Sequence, residues 1–180
     1  FSKPFKNRLS IAPALGYNNY DKLMVGGMFT NYKLRPSRFQ FLLAPMYGTG
    51  SKSLAGLGLA HYLFYPKNLF HKIDIGLSGS TFNMNEYKDD QGKKTFTSFY
   101  KVVPSIKLVL NQDHPRQTML RFIQFKSFFI GEEAFNFYRD TIVGSANDTT
   151  ILNKVGTVSE NRTLHQLRVV LENYRVLYPY

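Results

Sequence analysis

The chain predicts an all-β fold: an antiparallel up-and-down β-barrel of about eight strands, either complete or part of a larger barrel. Three observations carry this prediction. Apolar and polar residues alternate along one segment after another with the two-residue period of a strand. Polar or Gly- and Pro-containing turns separate the segments. No stretch has a convincing helical period; the nearest, Leu164 to Leu171, contains Val169-Val170 and reads better as a strand.

Leu9 to Tyr17 is the first strand, with Leu9, Ile11, Pro13, Leu15 and Tyr17 against Ser10, Ala12, Ala14 and Gly16. Asn18-Asn19-Tyr20-Asp21 is a tight turn, because Asn tolerates the left-handed backbone. The second strand is Leu23 to Tyr32, and Leu34-Arg35-Pro36-Ser37-Arg38 turns the chain into the third, Phe39 to Gly48. Ala55 to Tyr65 is the fourth. A hairpin spans Lys72 to Leu110: Lys72 to Phe82, a polar turn over Tyr87 to Lys94, and Thr95 to Leu110. The seventh strand runs from Thr118 to about Gly131. Its pattern is mixed, since Leu120, Phe122, Phe128 and Ile130 share a parity with Gln124 and Lys126, and a mid-strand bulge would reconcile it. Glu132 to Ser159 reads as a long polar connection, so a long external loop is expected near 132–160. The eighth strand runs from about Arg162 to Tyr178. Short Pro-containing turns join strands two to three, four to five and six to seven. The connections five to six and seven to eight read as long and polar, so the two rims of the barrel differ.

The 180 residues suffice for one domain with a core, and no composition break divides them. Without Cys, neither disulfides nor thiolate metal sites are available. Lys and Arg number 23 against 12 Asp and Glu, a net +11 that favours phosphate-bearing partners, among them anionic lipid and lipopolysaccharide. No segment supplies the ~20 apolar residues of a membrane helix. A barrel, however, crosses with strands of ~9–11 residues. The first residue is Phe1 and strand-like sequence runs up to Tyr180, so a piece of a longer or processed polypeptide is expected.

Two barrels fit this alternation. In a soluble lipocalin-like barrel Ile73, Ile75 and Leu77 point inward onto a small apolar ligand. In an outer-membrane barrel they face lipid and the polar residues line the lumen. Long strands, Tyr and Phe near strand ends, and charges in mid-strand favour the second. The candidate lumen residues are Asp74, Lys101, Lys107, Arg168 and Glu172. Asp74 pairs across strands with Lys101 or Lys107 only if the register allows it.

Several segments together carry a resemblance: Ala44-Pro45-Met46-Tyr47-Gly48-Thr49-Gly50-Ser51-Lys52, Lys72 to Leu77, Ile123-Gln124-Phe125-Lys126, and Gly156 to Leu177 with Glu160-Asn161-Arg162-Thr163-Leu164. The chain resembles, along most of its length, the C-terminal outer-membrane barrel region of Bacteroidetes surface proteins whose N-terminal part is a gluzincin-type aminopeptidase. The resemblance implies a barrel in a bacterial outer membrane, among lipid and lipopolysaccharide. It would anchor or display a peptidase-like domain of the same polypeptide. It implies nothing catalytic within this chain, which lacks the His-Glu-x-x-His of the peptidase.

Other chemistry finds little support in the residues. His61, His71, His114 and His165 are isolated, and neither a Gly-x-Ser-x-Gly elbow nor a Cys nucleophile occurs. Gly48-Thr49-Gly50 and Gly56-Leu57-Gly58 lack the third Gly and the strand–helix context of a dinucleotide site. Asp89-Asp90 and Glu132-Glu133 read as solvated loop acids. Basic–aromatic interleaving such as Phe122 to Lys126 is what a barrel strand also produces, so no nucleic-acid partner is expected. No enzyme activity, cofactor or metal is assigned to this chain.

Overall fold

A computed structural model describes residues 9–33, 37–66, 69–89, 92–112, 119–143 and 149–173, with 140–143 and 149–153 described by backbone alone. The described residues form eight strands: β1 (Ser10–Asn18), β2 (Lys22–Thr30), β3 (Phe39–Gly48), β4 (Leu54–Phe64), β5 (Phe70–Lys88), β6 (Lys94–Leu110), β7 (Met119–Val143) and β8 (Thr149–Asn173). Each pairs antiparallel with its sequence neighbours in one sheet of order β1 to β8. The all-β, up-and-down architecture is the one the alternation predicts. The sheet is not closed: β1 and β8 are each paired on one side only. The expected end of the eighth strand, with Tyr174, Tyr178 and Tyr180, lies outside the described residues.

Three expectations are corrected. The long connection over 132–160 is mostly paired strand: β7 continues to Val143 and β8 starts at Thr149. Of the side chains described along it, 132–139 and 154–159, none is buried on either face, so no apolar side marks the strand in the sequence. The connection β5 to β6 likewise shortens to 89–93, with Gly92 at φ +80 donating its N–H to the Asp89 carbonyl. The rims still differ, but in the opposite sense: the connections 89–93 and 144–148, expected to be long, are shorter than 31–38 and 111–118, expected to be tight turns. Lastly, β7 holds one unbroken register with both neighbours, and the register shifts lie in β5, between Phe70 and Lys72 and between Asn83 and Asn85. Gln124 and Lys126 share a face with Phe122 because that face is enclosed yet polar.

A single sheet with no second layer can bury side chains only by curling. This one does so around β1 to β5. Met24, Met46 and Ala55 form the core, with Ala14 and Phe82 against it. A Cβ at Gly16 on β1 would lie 3.4 Å from Met46 Sδ on β3, so these strands meet across the curve. Gly26 lets β2 lie against β3, since any side chain there would enter the Pro45 carbonyl.

Candidate functional site

Two faces result, and they differ in chemistry. Cross-strand partners lie on the same side, so the register assigns every residue. One row joins Asp74 to Lys107, Lys107 to Gln124 and Gln124 to Arg168. A second joins Ser80 to Lys101, Lys101 to Ile130 and Ile130 to Arg162. Both rows share the face of the buried Met46, Leu63, Val103 and Phe122, which is therefore the inside of the curve. The opposite face is apolar and exposed. Leu15, Leu43, Ile75, Leu77, Val102, Ile106, Phe125, Phe129, Leu167 and Val169 all project there, Leu77 with 53 % of its surface free. Ile73, Ile75 and Leu77 thus point away from the enclosed side on which a lipocalin-like barrel would need them.

The five polar residues singled out from the sequence all fall on the inner face. The register sets Asp74 opposite Lys107 and leaves Lys101 opposite Ser80. Alignment does not make an ion pair, however. Lys107 turns its ammonium over the Phe122 ring, 4.0 Å from the centroid, and Lys101 lies 5.3 Å over Phe128. Such cation–π contacts contribute about 0.5–2 kcal/mol depending on desolvation. Asp74 instead meets His61, its Oδ1 3.0 Å from Nδ1. That imidazole needs Gly76 beneath it, where an added Cβ would lie 2.9 Å from the ring. Arg168 and Glu172 are exposed on β8, Arg168 opposite Gln124 and Glu172 opposite Leu120. A further inner-face cluster sits higher on the tall hairpin, where Arg162 Nη2 lies 3.2 Å from Glu160 and 3.6 Å from Glu132.

The least expected polar group is Asp21, fully buried in the turn between β1 and β2. Its carboxylate accepts from Asn18 Nδ2 at 2.7 Å, Asn83 N at 3.1 Å, Asn83 Nδ2 at 2.5 Å and the Ser51 hydroxyl. The Asn18 side chain caps the turn by accepting from the backbone N–H groups of Tyr20 and Asp21. One carboxylate therefore ties the β1–β2 turn, the β3–β4 turn and β5 together, drawing the sheet into its curve. Burial pushes its pKa up, but the hydrogen bonds from Ser51, Asn83 and Asn18 outweigh that and hold it below the ordinary value. The sequence marked only the Asn-Asn-Tyr-Asp turn, because Asn83 and Ser51 are brought to it by tertiary structure alone.

The outer face has a measurable height. On β6 it runs Tyr100, Val102, Pro104, Ile106, Leu108. The eight steps of ~3.3 Å from Tyr100 to Leu108, tilted ~40°, span about 20 Å, near the ~25 Å apolar band of barrels that cross membranes. The row at its upper edge is more polar: Thr81 opposite Tyr100, Tyr100 opposite Gly131, Gly131 opposite Asn161. Tyr100 lays its ring across Gly131 and donates its hydroxyl to Asn161 Oδ1 at 3.0 Å. Not all of the band is apolar, since Ser127 bonds His165 Nδ1 at 3.0 Å while that imidazole stacks on Phe125.

Among the described residues no three His, Asp or Glu side chains could hold a metal ion, and no helix is long and apolar enough to cross a membrane. Comparison of the chain with protein-family models, curated proteins and solved structures gave no match. The class that fold and faces define is an antiparallel up-and-down sheet with an ionic inside and an apolar outside.

Proposed function

We propose that this chain is the membrane-spanning part of a bacterial outer-membrane protein, a barrel wall that anchors and displays a domain carried on the same polypeptide. The observation that carries the reading is the distribution of charge and exposure: the mid-strand ions lie on the inner face beside a small buried core of Met24, Met46, Leu63 and Phe122, and the exposed outer face is almost wholly aliphatic and aromatic. In water that outer face would be a contiguous apolar patch of the kind that soluble monomers rarely leave open. Against hydrocarbon it is the favoured surface, and its height fits. The displayed domain is peptidase-like by sequence resemblance. The wall itself contributes attachment among lipid and lipopolysaccharide.

The test is insertion of the chain from urea into phosphatidylcholine vesicles, read by β-sheet circular dichroism and protease protection. Leu77→Lys places a charge near the middle of the outer band and should weaken insertion by about 2–4 kcal/mol. Ser78→Lys, one residue along on the inner face, should leave insertion almost unchanged. A well-folded monomer in plain buffer, or equal effects of the two lysines, would overturn the reading.

A further inference from the structure

The charges of the inner face are not evenly spread. On β6, β7 and β8 two neighbouring rows of the register set six side chains side by side: Lys107, Gln124 and Arg168 in one, Ser105, Lys126 and Gln166 in the next. Every one of the six can donate a hydrogen bond, and none is an acid. Lys126 is the diagonal neighbour of both Lys107 and Arg168, a separation of ~7–8 Å. The cations and the neutral donors therefore alternate, as on a checkerboard. Lys107, Gln124, Ser105 and Lys126 are half-buried within the curve, while Arg168 and Gln166 are exposed.

This charge is not answered within the sheet. Lys107 rests on the Phe122 ring, which attracts an ammonium without neutralising it. Lys126 and Arg168 have no ion-pair partner among the described residues. Asp74, next to Lys107 in its row, is bonded to His61 at 3.0 Å. Glu172 lies four residues beyond Arg168 on β8, two rows away. Arg162, higher on the same face, shows the contrast, since Glu160 and Glu132 stand 3.2 Å and 3.6 Å from it. A face built only to be wetted intersperses both signs of charge. Here three cations share two rows with donors alone.

We infer that this patch binds the phosphate of a small, water-soluble phosphorylated solute. A phosphate group brings up to two negative charges and three strong acceptor oxygens. Lys and Arg side chains spaced by ~7–8 Å are long enough to converge on one such group, and Gln124, Gln166 and Ser105 supply further donors. The inner face is turned away from the apolar outer band, which selects a solute from water over a lipid. The site needs only the curl of the sheet and not the membrane reading above.

The experiment uses the whole chain, refolded in mild detergent, and equilibrium dialysis against labelled glucose 6-phosphate in about 0.1 M sodium chloride. The wild type should bind it saturably with a Kd of about 1 mM or tighter. Inorganic phosphate should compete, and glucose should not. Lys126→Gln and Arg168→Gln each keep a donor and lose a charge, and each should weaken binding about tenfold. Lys101→Gln removes the same charge from the same face but outside the two rows, and should weaken it less than about twofold. Ser105→Glu sets a carboxylate beside Lys126 and should abolish binding while the β-sheet circular dichroism stays as in the wild type. Absence of saturable binding, competition by glucose but not by phosphate, equal losses in Lys101→Gln and Lys126→Gln, or undiminished affinity in Ser105→Glu would overturn the site. Failure to enter vesicles would strike the anchor reading alone.

Discussion

The two halves of the sheet solve different problems. The β1–β4 half is short, its strands 9 to 11 residues long, and its turns are pinned. It holds most of the buried side chains, and Asp21 draws it round onto β5. The β5–β8 half is tall, with strands of 17 to 25 residues. Its lower part continues the same outer band, and along 132–139 and 154–159 its upper part rises past that band with no buried side chain. The short half shows how a curved wall is held by a small core: Met24, Met46 and Ala55 inside, glycine at close approaches, and one saturated carboxylate. The tall half shows that the ladder can outlast its apolar face, carried by backbone pairing and local contacts. Tyr87, Phe135 and Phe137 make such a cluster, with centroids 5.2 Å apart for Tyr87 and Phe137.

The contrast can be broken most severely in the short half. Gly26→Val would drive a side chain into the Pro45 carbonyl and part β2 from β3, a loss of about 3 kcal/mol against urea in vesicles. Asp21→Asn keeps the shape but replaces an acceptor by a donor facing Asn18, Ser51 and Asn83, costing about 2 kcal/mol. The same lock titrates. Its folded pKa is depressed, so its stabilisation is complete above the unfolded value near 4 and is lost as pH falls through the lower folded value. Urea midpoints measured from pH 6 down to pH 2.5 should fall in the wild type, and the Asp21→Asn protein should lose that part of the slope. Thr97, almost wholly buried, has a hydroxyl without a hydrogen-bond partner. Thr97→Val should therefore raise stability by about 1 kcal/mol. The smallest effect belongs to the top of the tall half. Replacing Ala134 to Val158 by a short Asn-Gly turn should leave protease-protected insertion unchanged within about 0.5 kcal/mol, because that segment lies beyond the band.

Much of this architecture was legible in the residues, because alternation reports faces directly and the hairpin from Lys72 to Leu110 fixes its own register. The fifth and sixth strands kept the sides assigned to Ile73, Asp74, Lys101 and Ile106. Strand ends were less legible. Past Gly131 the alternation has no enclosed side to enforce it, and Asn, Asp and Thr read as loop. The mixed pattern of the seventh strand looked like a slipped phase because apolar and polar residues share each parity, whereas the strand keeps one register and sets Phe122, Gln124 and Lys126 together on the inner face. Side-chain partners were not legible at all. Register alone suggests Asp74 with Lys107, but Phe122 sits within reach of the ammonium and His61 within reach of the carboxylate.

The free edges of β1 and β8 bear on how such a wall is made. Along them, the backbone amides and carbonyls that point outward from the sheet have no neighbouring strand. Hydrocarbon offers them no substitute, and each unmet group there costs several kcal/mol. On the membrane reading proposed above, a growing sheet of this kind could not be threaded into a bilayer one hairpin at a time and left waiting. Entry has to coincide with the arrival of whatever seals the seam. With nine residues in β1 and twenty-five in β8, the seam is unequal, and only the lower part of β8 needs to be sealed before the wall is at rest.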